Sequence, residues 1–309
     1  MKNMQRLVLV MALLLTCNEM VLAKKGMQEH LKKAMELKMQ GKLATAIEKY
    51  AQLLKKYPEE AIIHYQIASS YALIHQHRKA LNYFKKALSL DPDHYVLVKD
   101  AHIGEFFEIT KTPLWTELEE VFIGSLPHLI NVALAKKLWK MIMKDQAYYI
   151  ELFIAQNRLG YDSPVVQAIW DIKKILNEEN VSALEKLLFK YGWPKISEVG
   201  KLGSLSAFCV IQHSEQHLRE KCLPLLQEAY MLGEATGHDY ARMYDRVQVY
   251  KNGKQTYGTS FFVDAVTGQH TMHPIEDAEN VHKRRKELGL EPLEAVFAKL
   301  GMKNVKLDN

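Results

Sequence analysis

The sequence predicts a mainly α-helical protein, in which repeated helical hairpins are followed by an α+β domain of helices with a small antiparallel β-hairpin sheet. Three observations support this fold class. Similar residues recur 34 positions apart in the first third of the chain, and apolar residues recur at helical spacing through its middle. After Tyr240, apolar and polar residues alternate around turn-forming dipeptides. The repeat decides the architecture of the N-terminal third.

The first 23 residues have the organisation of a secretory signal peptide. Lys2 and Arg6 precede an apolar run at 7–15, and Val21-Leu22-Ala23 suits a small-residue cleavage site. The run is shorter than the about 20 residues that span a membrane. We therefore expect an exported protein, periplasmic or secreted, that is cleaved after Ala23.

A membrane-anchored lipoprotein is the alternative localisation. Leu14-Leu15-Thr16-Cys17 resembles a bacterial lipobox, whose cysteine becomes the lipidated N-terminus, although Thr16 is larger than usual at its position. No later apolar stretch is long enough for a membrane span. Cys209 and Cys222 remain in the mature chain, which excludes a disulfide scaffold. We expect both to be free, since they could pair only if the chain turned between them.

The 34-residue period covers residues 27–94 and predicts two helical hairpins. Small residues at repeated positions allow close helix approach, aromatic residues fill the space between helices, and prolines end the second helix of each pair. The matching positions are Ala34 and Ala68, Ala46 and Ala80, Tyr50 and Phe84, and Pro58 and Pro92. This pattern resembles the tetratricopeptide repeat (TPR), with Gly41 between the first two helices and His75 at the equivalent position. The resemblance implies a domain that binds a protein or peptide partner.

Two repeats leave an apolar end uncovered, so a further helix is needed to cap them. Residues 95–109 are the candidate, which makes 24–110 the predicted repeat domain and 111–134 a helical connector. The segment 24–94 holds 13 Lys and Arg against 7 Asp and Glu, whereas the whole chain has a net charge of +5. This basic excess favours an acidic partner. No nucleic-acid-binding motif accompanies it, and nucleic acid is not expected as a partner.

Residues 135–300 are predicted to form the second domain, and 301–309 a tail. Val247 and Val249 precede Asn252-Gly253, a dipeptide typical of a two-residue hairpin turn. The sequence therefore predicts a strand on each side of that turn.

Further along this domain, a turn at Thr267-Gly268 predicts another strand pair. A helix is expected from about Asp277 to Leu288, because Gly289 suits the left-handed residue that follows a helix.

The stretch IQHSEQH places His213 and His217 four residues apart, which would put both imidazoles on one face of a continuous helix. A zinc-protease motif needs Glu directly after the first histidine, and Ser214 stands there. No third ligand is evident, so no metal and no cofactor are predicted. We expect a helix that presents Gln212 and His213 to one pocket, with His217 incidental.

The order of motifs in the second domain resembles that of an uncharacterised bacterial family of unknown function. The motifs within 135–298 are YGWP at 191–194, QH at 212–213, YDRV at 244–247, QTYGT at 255–259 and RRKELGL at 284–290. The resemblance implies no established activity. It directs attention to polar residues at matching positions: Asp145, Gln212, His213, Asp245, Arg246, Gln255 and Tyr257.

Two functions are open for these residues. In one, Gln212, Gln255, Tyr257 and Asp145 bind an unidentified ligand while the repeats bind a protein partner. In the other, the protein is an extracytoplasmic enzyme, for instance a hydrolase. A histidine can transfer a proton, an aspartate can orient it and an arginine can hold an anion, which are the roles open to His213, Asp245 and Arg246. We expect binding, because neighbours on the predicted strand at 245 and 246 would point to opposite faces.

Overall fold

The computed structural model describes residues 26–91, 103–126, 130–263, 270–302 and 305. Contacts group the chain into two units. We call Met1–Pro127 with Gln146–Ile172 the repeat unit, and His128–Asp145 with Lys173–Asn309 the C-terminal unit. The predicted fold class is confirmed, since the protein is mainly helical with one small antiparallel sheet among the described residues.

The repeat unit consists of helices and one long 3₁₀ helix. Its elements are α1 (26–39), α2 (Leu43–Lys56), α3 (Ala61–Leu73), α4 (His77–Leu90), the 3₁₀ helix Ile103–Lys111, α5 (Leu114–Ser125) and α7 (Tyr149–Leu159). Between α5 and α7 in the sequence lies α6 (Val132–Asp145), which belongs to the C-terminal unit. Helix α8 (Pro164–Tyr191) contributes residues to both units.

Helices α1 to α4 form the two hairpins that the 34-residue period predicts. The repeated alanines and aromatic residues are all fully buried: Ala34, Ala46, Ala68, Ala80, Tyr50 and Phe84. The turn between the helices uses Gly41 in the first hairpin and His75 in the second, with φ angles of 72° and 58°. Because a side chain disfavours positive φ, the second turn has a backbone strain that the first avoids.

The 3₁₀ helix Ile103–Lys111 covers the second hairpin, as the capping argument expects. The ring centroid of Phe106 lies 4.4 Å from that of Phe84 and 5.8 Å from that of Tyr65. The C-terminal part of the candidate segment 95–109 therefore packs on this hairpin. Residues 95–102 and Pro92 lie outside the described residues.

A buried ion pair joins α1 to this 3₁₀ helix. The Lys38 ammonium donates hydrogen bonds to Glu105 at 3.0 Å, to the Ser69 hydroxyl at 2.5 Å and to the Gln66 side chain at 3.3 Å. The side chains of Lys38 and Glu105 are only 5% and 3% exposed. Since an ammonium has three donors, every one of them has a partner inside the unit.

The C-terminal unit places the candidate site residues on three helices. After α6 and the second part of α8, its elements are α9 (Ile196–Gln212), α10 (Gln216–Met231), α11 (Gly237–Asn252), β1 (Phe261–Val263), β2 (His270–Met272), the 3₁₀ helix Ala278–Asn280, α12 (Val281–Glu287) and α13 (Leu293–Lys299). Helix α6 packs against α9, with Trp139 and Phe208 among the buried residues.

The hairpin predicted at Asn252-Gly253 is wrong. These residues end α11, on which Val247 is buried, and Gly253 has a φ of 76° as the residue after the helix. Asn-Gly suits both structures, because a hairpin turn and a helix end each need positive φ. The dipeptide alone therefore does not distinguish a strand pair from the end of a helix.

The strand pair predicted around Thr267-Gly268 is confirmed, since β1 and β2 pair antiparallel with Phe261 opposite Met272. The turn itself, at 264–269, lies outside the described residues. The helix expected from about Asp277 to Leu288 is also found, and Gly289 follows it with a φ of 67°.

Two other predictions from the sequence concern membrane-spanning helices and the cysteines of the described residues. None of their helices is both long and apolar enough to cross a membrane. Cys209 and Cys222 are free, and Cys222 is buried.

Candidate functional site

His213 and Asp145 form a hydrogen-bonded pair in the C-terminal unit. Asp145 is the last residue of α6, and His213 follows the last residue of α9. The distance between His213 Nδ1 and Asp145 Oδ1 is 2.7 Å. The Asp145 side chain is 1% exposed, whereas that of His213 is 30% exposed. Among the described residues Nε2 of His213 has no hydrogen-bond partner, so this nitrogen can meet a ligand while Asp145 orients the ring.

Side chains of α8 fix the end of α6 that carries Asp145. Lys173 Nζ donates to the backbone carbonyl of Asp145 at 3.1 Å, and Asn180 donates to the carbonyl of Met141 at 2.9 Å. Both side chains are buried. The carbonyls of the last four residues of a helix have no partner within it, and the bond from Lys173 satisfies one of them, while Asn180 adds a bond to a carbonyl one turn earlier. The position of Asp145 is therefore set by buried contacts.

Cys209 lies one turn before His213 on α9 and retains some accessible surface. Burial raises the pKa of its thiol, the carboxylates of Asp145 and Asp239 raise it further, and Arg242 opposes them. Because only a thiolate is an effective nucleophile, the cysteine is not expected to attack a substrate.

Gln212 and Arg246 lie next to this pair, where α9 packs on α11. The Gln212 side chain is buried, and its Oε1 is 3.5 Å from Nη1 of Arg246. Nε2 of Gln212 is buried without a hydrogen-bond partner in the described part of the chain. One turn earlier on each helix, the Arg242 guanidinium lies 5.4 Å from the ring of Phe208. Four of the predicted site residues therefore surround the end of α9: Asp145, Gln212, His213 and Arg246.

Asp245 has a different environment and does not pair with His213. It is fully buried on α11, and it holds the loop that follows this helix. Oδ1 accepts hydrogen bonds from the amides of Thr256 and Tyr257 at 2.8 and 2.9 Å. Oδ2 accepts from the amide and the hydroxyl of Thr259 at 2.9 and 2.7 Å. Burial raises the pKa of Asp245, and these hydrogen bonds oppose the shift.

The expectation that Asp245 and Arg246 lie on a strand is wrong, because both belong to α11. Neighbours on a helix are about 100° apart rather than on opposite faces. The sequence argument against their convergence therefore does not apply. Their separation has another cause, since the Asp245 carboxylate is occupied by the loop.

Gln255 is fully buried and ties the same loop to a later segment. Its Nε2 donates to the carbonyls of Ser260 and His273 at 3.0 and 2.7 Å, and its Oε1 accepts from the Ser260 amide at 2.7 Å. Its backbone forms a parallel bridge with Ile275. Both polar atoms of the Gln255 side chain therefore bond to the backbone of the fold.

Tyr257, the last of the predicted site residues, packs in an aromatic cluster with Tyr240 and Tyr244. The ring centroid distances from Tyr257 are 6.2 Å and 5.6 Å. Burial raises the pKa of the Tyr257 hydroxyl, and the neighbouring tyrosines add to the shift. Together with Asp245 and Gln255, this residue gives the QTYGT segment a structural role.

Family models identify both parts of the chain. A tetratricopeptide repeat model matches residues 61–94, which is the second predicted repeat. A model of a family of unknown function (DUF6624) matches residues 132–304, more than half of the chain. The chain belongs to the DUF6624 family. No curated protein and no solved structure matches it.

His213 and His217 do not share a helix, so the expectation of one continuous helix through IQHSEQH is wrong. Helix α9 ends at Gln212, the chain turns through His213 and Ser214, and α10 begins at Gln216. His217 therefore lies on a different element. Within the described ranges no three His, Cys, Asp or Glu residues are arranged to hold a metal ion.

Sequence reasoning named Asp145 and His213 in the DUF6624 region but did not pair them. They are 68 positions apart, and no local spacing links them. The sequence did not indicate that Lys173 holds the end of α6, and it predicted Cys209 only as a free cysteine. Neither residue has a local pattern that places it beside Asp145, because this depends on the packing of α6, α8 and α9.

Proposed function

We propose that the protein is exported and that its repeat unit binds an acidic segment of a partner protein. A TPR repeat indicates protein–protein interaction. The observation that supports an acidic partner is a groove of about 520 Å³ between α1 and α2. It combines an apolar surface from Ala34, Leu37 and Leu53 with cationic side chains from Lys33, Lys49 and Lys56.

The lysines of this groove are poorly neutralised. Lys33 pairs with Glu29 at 2.7 Å, but both side chains are more than half exposed, and such pairs contribute about 0 to 1 kcal/mol. Lys49 and Lys56 have no carboxylate partner among the described residues. An amphipathic acidic segment would supply carboxylates to pair with these lysines and an apolar face to pack against the groove.

The test uses a fluorescent 16-residue helical peptide that presents leucine and glutamate on one face, compared with the same peptide carrying glutamine for glutamate. Binding of the acidic peptide should weaken about tenfold in the double variant Lys49→Glu, Lys56→Glu, and should weaken with added salt. The matched control is Lys42→Glu, Lys55→Glu, which changes the charge of the same region outside the groove. Equal losses in the two double variants would contradict the proposed site.

Export is supported by the sequence of residues 1–23, which precede the described part of the chain. N-terminal sequencing of the protein from its native host should give Lys24 as the first residue, after cleavage behind Ala23. A lipid-modified Cys17 would replace this result by the anchored form. An intact Met1 in the cytoplasm would exclude export.

Acid–base chemistry at His213 is a second candidate function, favoured by a side chain that is 30% exposed and by an Nε2 that has no hydrogen-bond partner among the described residues. This nitrogen could take a proton from a water molecule that attacks a substrate, while the buried Asp145 stabilises the imidazolium that forms. The product of that step is a hydrolysed ester or phosphoester. Asp145 would therefore orient His213 in a catalytic dyad. From the sequence, Asp245 was predicted for this role.

The test measures hydrolysis of p-nitrophenyl acetate and p-nitrophenyl phosphate. His213→Gln keeps an amide donor near Asp145 but removes the base, and should reduce turnover by about 100-fold or more. His217→Gln is the matched control and should leave turnover unchanged. Absence of turnover by the wild type, or equal loss in both variants, would contradict catalysis with these substrates.

A further inference from the structure

A second pocket, of about 470 Å³, lies in the C-terminal unit among α11, α12, α13 and the loop after α11. This size is within the usual range for small-molecule sites. Part of its lining is apolar, from Phe261, Leu290 and Val296, and part is cationic, from Arg242 and Arg285, while the His238 imidazole also lines it. The pocket is separate in sequence from the His213–Asp145 pair, and no residue of that pair lines it.

Arg285 is a buried cation without a carboxylate partner. It is 3% exposed, and its guanidinium donates to the carbonyls of Tyr257 at 2.6 Å, Gly258 at 3.3 Å and Glu291 at 2.8 and 2.6 Å. No carboxylate of the described residues is within ion-pair distance of it. Burial lowers the pKa of Arg285, and the more distant carboxylates of Asp245, Glu291 and Glu294 oppose the shift.

Arg242 is the exposed cation of the same pocket. Its described contact is with the ring of Phe208, and within the described ranges it forms no hydrogen bond and no ion pair. The one carboxylate on the lining, Glu291, already accepts hydrogen bonds from Lys299 at 2.8 and 2.6 Å. His238 lies 3.6 Å from Asp239. The pocket therefore has an excess of positive charge.

We propose that this pocket binds an organic carboxylate with an apolar body. A guanidinium matches a carboxylate through two parallel hydrogen bonds, and Arg242 has both donors available. The buried charge of Arg285 strengthens the attraction because little water separates it from the pocket. Phe261, Leu290 and Val296 cover the apolar body of the ligand.

The test titrates the full chain with 4-phenylbutyrate, its neutral analogue 4-phenylbutyramide and acetate, followed by NMR. The carboxylate should bind with a dissociation constant on the order of 1 mM, which is typical of a ligand of this size. The amide and acetate should each bind at least about tenfold more weakly, because one lacks the charge and the other the apolar body.

Two variants separate the contributions of charge and shape. Arg242→Gln should weaken 4-phenylbutyrate binding about tenfold and leave the amide unchanged. Val296→Trp fills the cavity without changing its charge and should abolish binding of both. Lys254→Gln is the control, since it removes one exposed cation whose side chain forms no hydrogen bond or ion pair with the described residues.

Equal affinity for the acid and the amide would overturn the role of charge, and so would equal effects of Arg242→Gln and Lys254→Gln. Acetate binding as tightly as 4-phenylbutyrate would overturn the apolar part of the proposal. No binding of 4-phenylbutyrate at about ten times the expected dissociation constant would overturn it entirely. The acidic peptide and the hydrolysis assays do not depend on any of these results.

Discussion

Each unit of the molecule buries a charged group, but the two groups are satisfied in different ways. In the repeat unit, the three donors of Lys38 all end at buried acceptors, of which Glu105 is one. In the C-terminal unit, buried Asp145 is paired with His213, whose second nitrogen has no partner among the described residues. We call the first network closed, because every donor of its cation has a partner, and the second network open at one end.

This difference separates structural polar groups from functional candidates better than burial does. The cation of a closed network can only stabilise or specify the fold, because none of its N–H groups remains for a ligand. An open pair keeps one atom available and uses the buried partner to orient it. By the same criterion Asp245, which is as buried as Asp145, is structural because its two oxygens accept four hydrogen bonds.

Breaking the closed network should have the largest effect. Lys38→Met leaves the Glu105 carboxylate buried without its cation and should lower the free energy of unfolding by about 3 to 5 kcal/mol. Urea unfolding of the full chain measures this change. The double variant Lys38→Met, Glu105→Leu should recover much of the loss, because it removes both charges. A loss below about 1 kcal/mol in the single variant would show that the network is not closed.

Asp245→Asn should have the next largest effect, since it replaces one of the two carboxylate oxygens by an NH2 group. This group cannot accept the hydrogen bonds that the oxygen accepted. We expect a loss of about 2 to 3 kcal/mol in the free energy of unfolding. Thr259→Val is the control, because it removes a single hydroxyl donor to the same carboxylate and should cost less. If Asp245→Asn unfolds like the wild type, Asp245 is not the anchor of the loop.

His213→Ala should cost about 2 kcal/mol, because it removes a donor from the buried carboxylate of Asp145. The open pair is thus expected to contribute less stability than the closed network. Thermal and urea unfolding measure the loss, and His213→Gln should restore part of it. A larger loss than that of Lys38→Met would reverse the comparison and indicate that the pair is mainly structural.

The smallest expected effect is a gain in stability. Glu151 in the repeat unit has an oxygen that is buried without a hydrogen-bond partner, and burial raises the pKa of its carboxyl, with Glu105 adding to the shift. A carboxyl group whose pKa is raised in the folded state contributes stability below its unfolded pKa. This contribution is lost as the pH rises through the folded pKa. Glu151→Gln should remove this dependence and add about 1 kcal/mol near pH 7.

The control for this prediction is the pH dependence itself. The wild type should lose unfolding free energy relative to Glu151→Gln as the pH rises from about 4 toward neutral. Identical pH profiles for the two proteins would show that Glu151 is not perturbed in the folded state.

The repeat part of the fold could be predicted because its signals are local. Ala46 and Tyr50 occupy the same positions in their hairpin as Ala80 and Phe84, and all four are buried as their types suggest. The hairpin prediction at Asn252-Gly253 was wrong because a helix end needs the positive φ of Gly253 as much as a hairpin does. The length of the element before the turn, rather than the turn residues, distinguishes them.

The candidate site could be predicted only as a set of residues, not as an arrangement. His213 and Asp145 were both in the set, but their contact depends on how α6 packs along α9, which no local pattern encodes. The assignment of Asp245 to His213 failed for the same reason. A carboxylate can bind a histidine that is distant in sequence only if nearby backbone amides do not already donate hydrogen bonds to it.

The loop at 255–260 has a dynamic consequence for the C-terminal unit. The amides of Thr256, Tyr257 and Thr259 donate to one carboxylate, and the amide of Ser260 donates to Gln255. Although the loop lies outside helices and strands, the amide protons of Thr256, Tyr257 and Thr259 are expected to exchange with solvent slowly and at a common rate, because they open only when Asp245 releases them. The loop should therefore behave in hydrogen exchange as one cooperative segment with the end of α11.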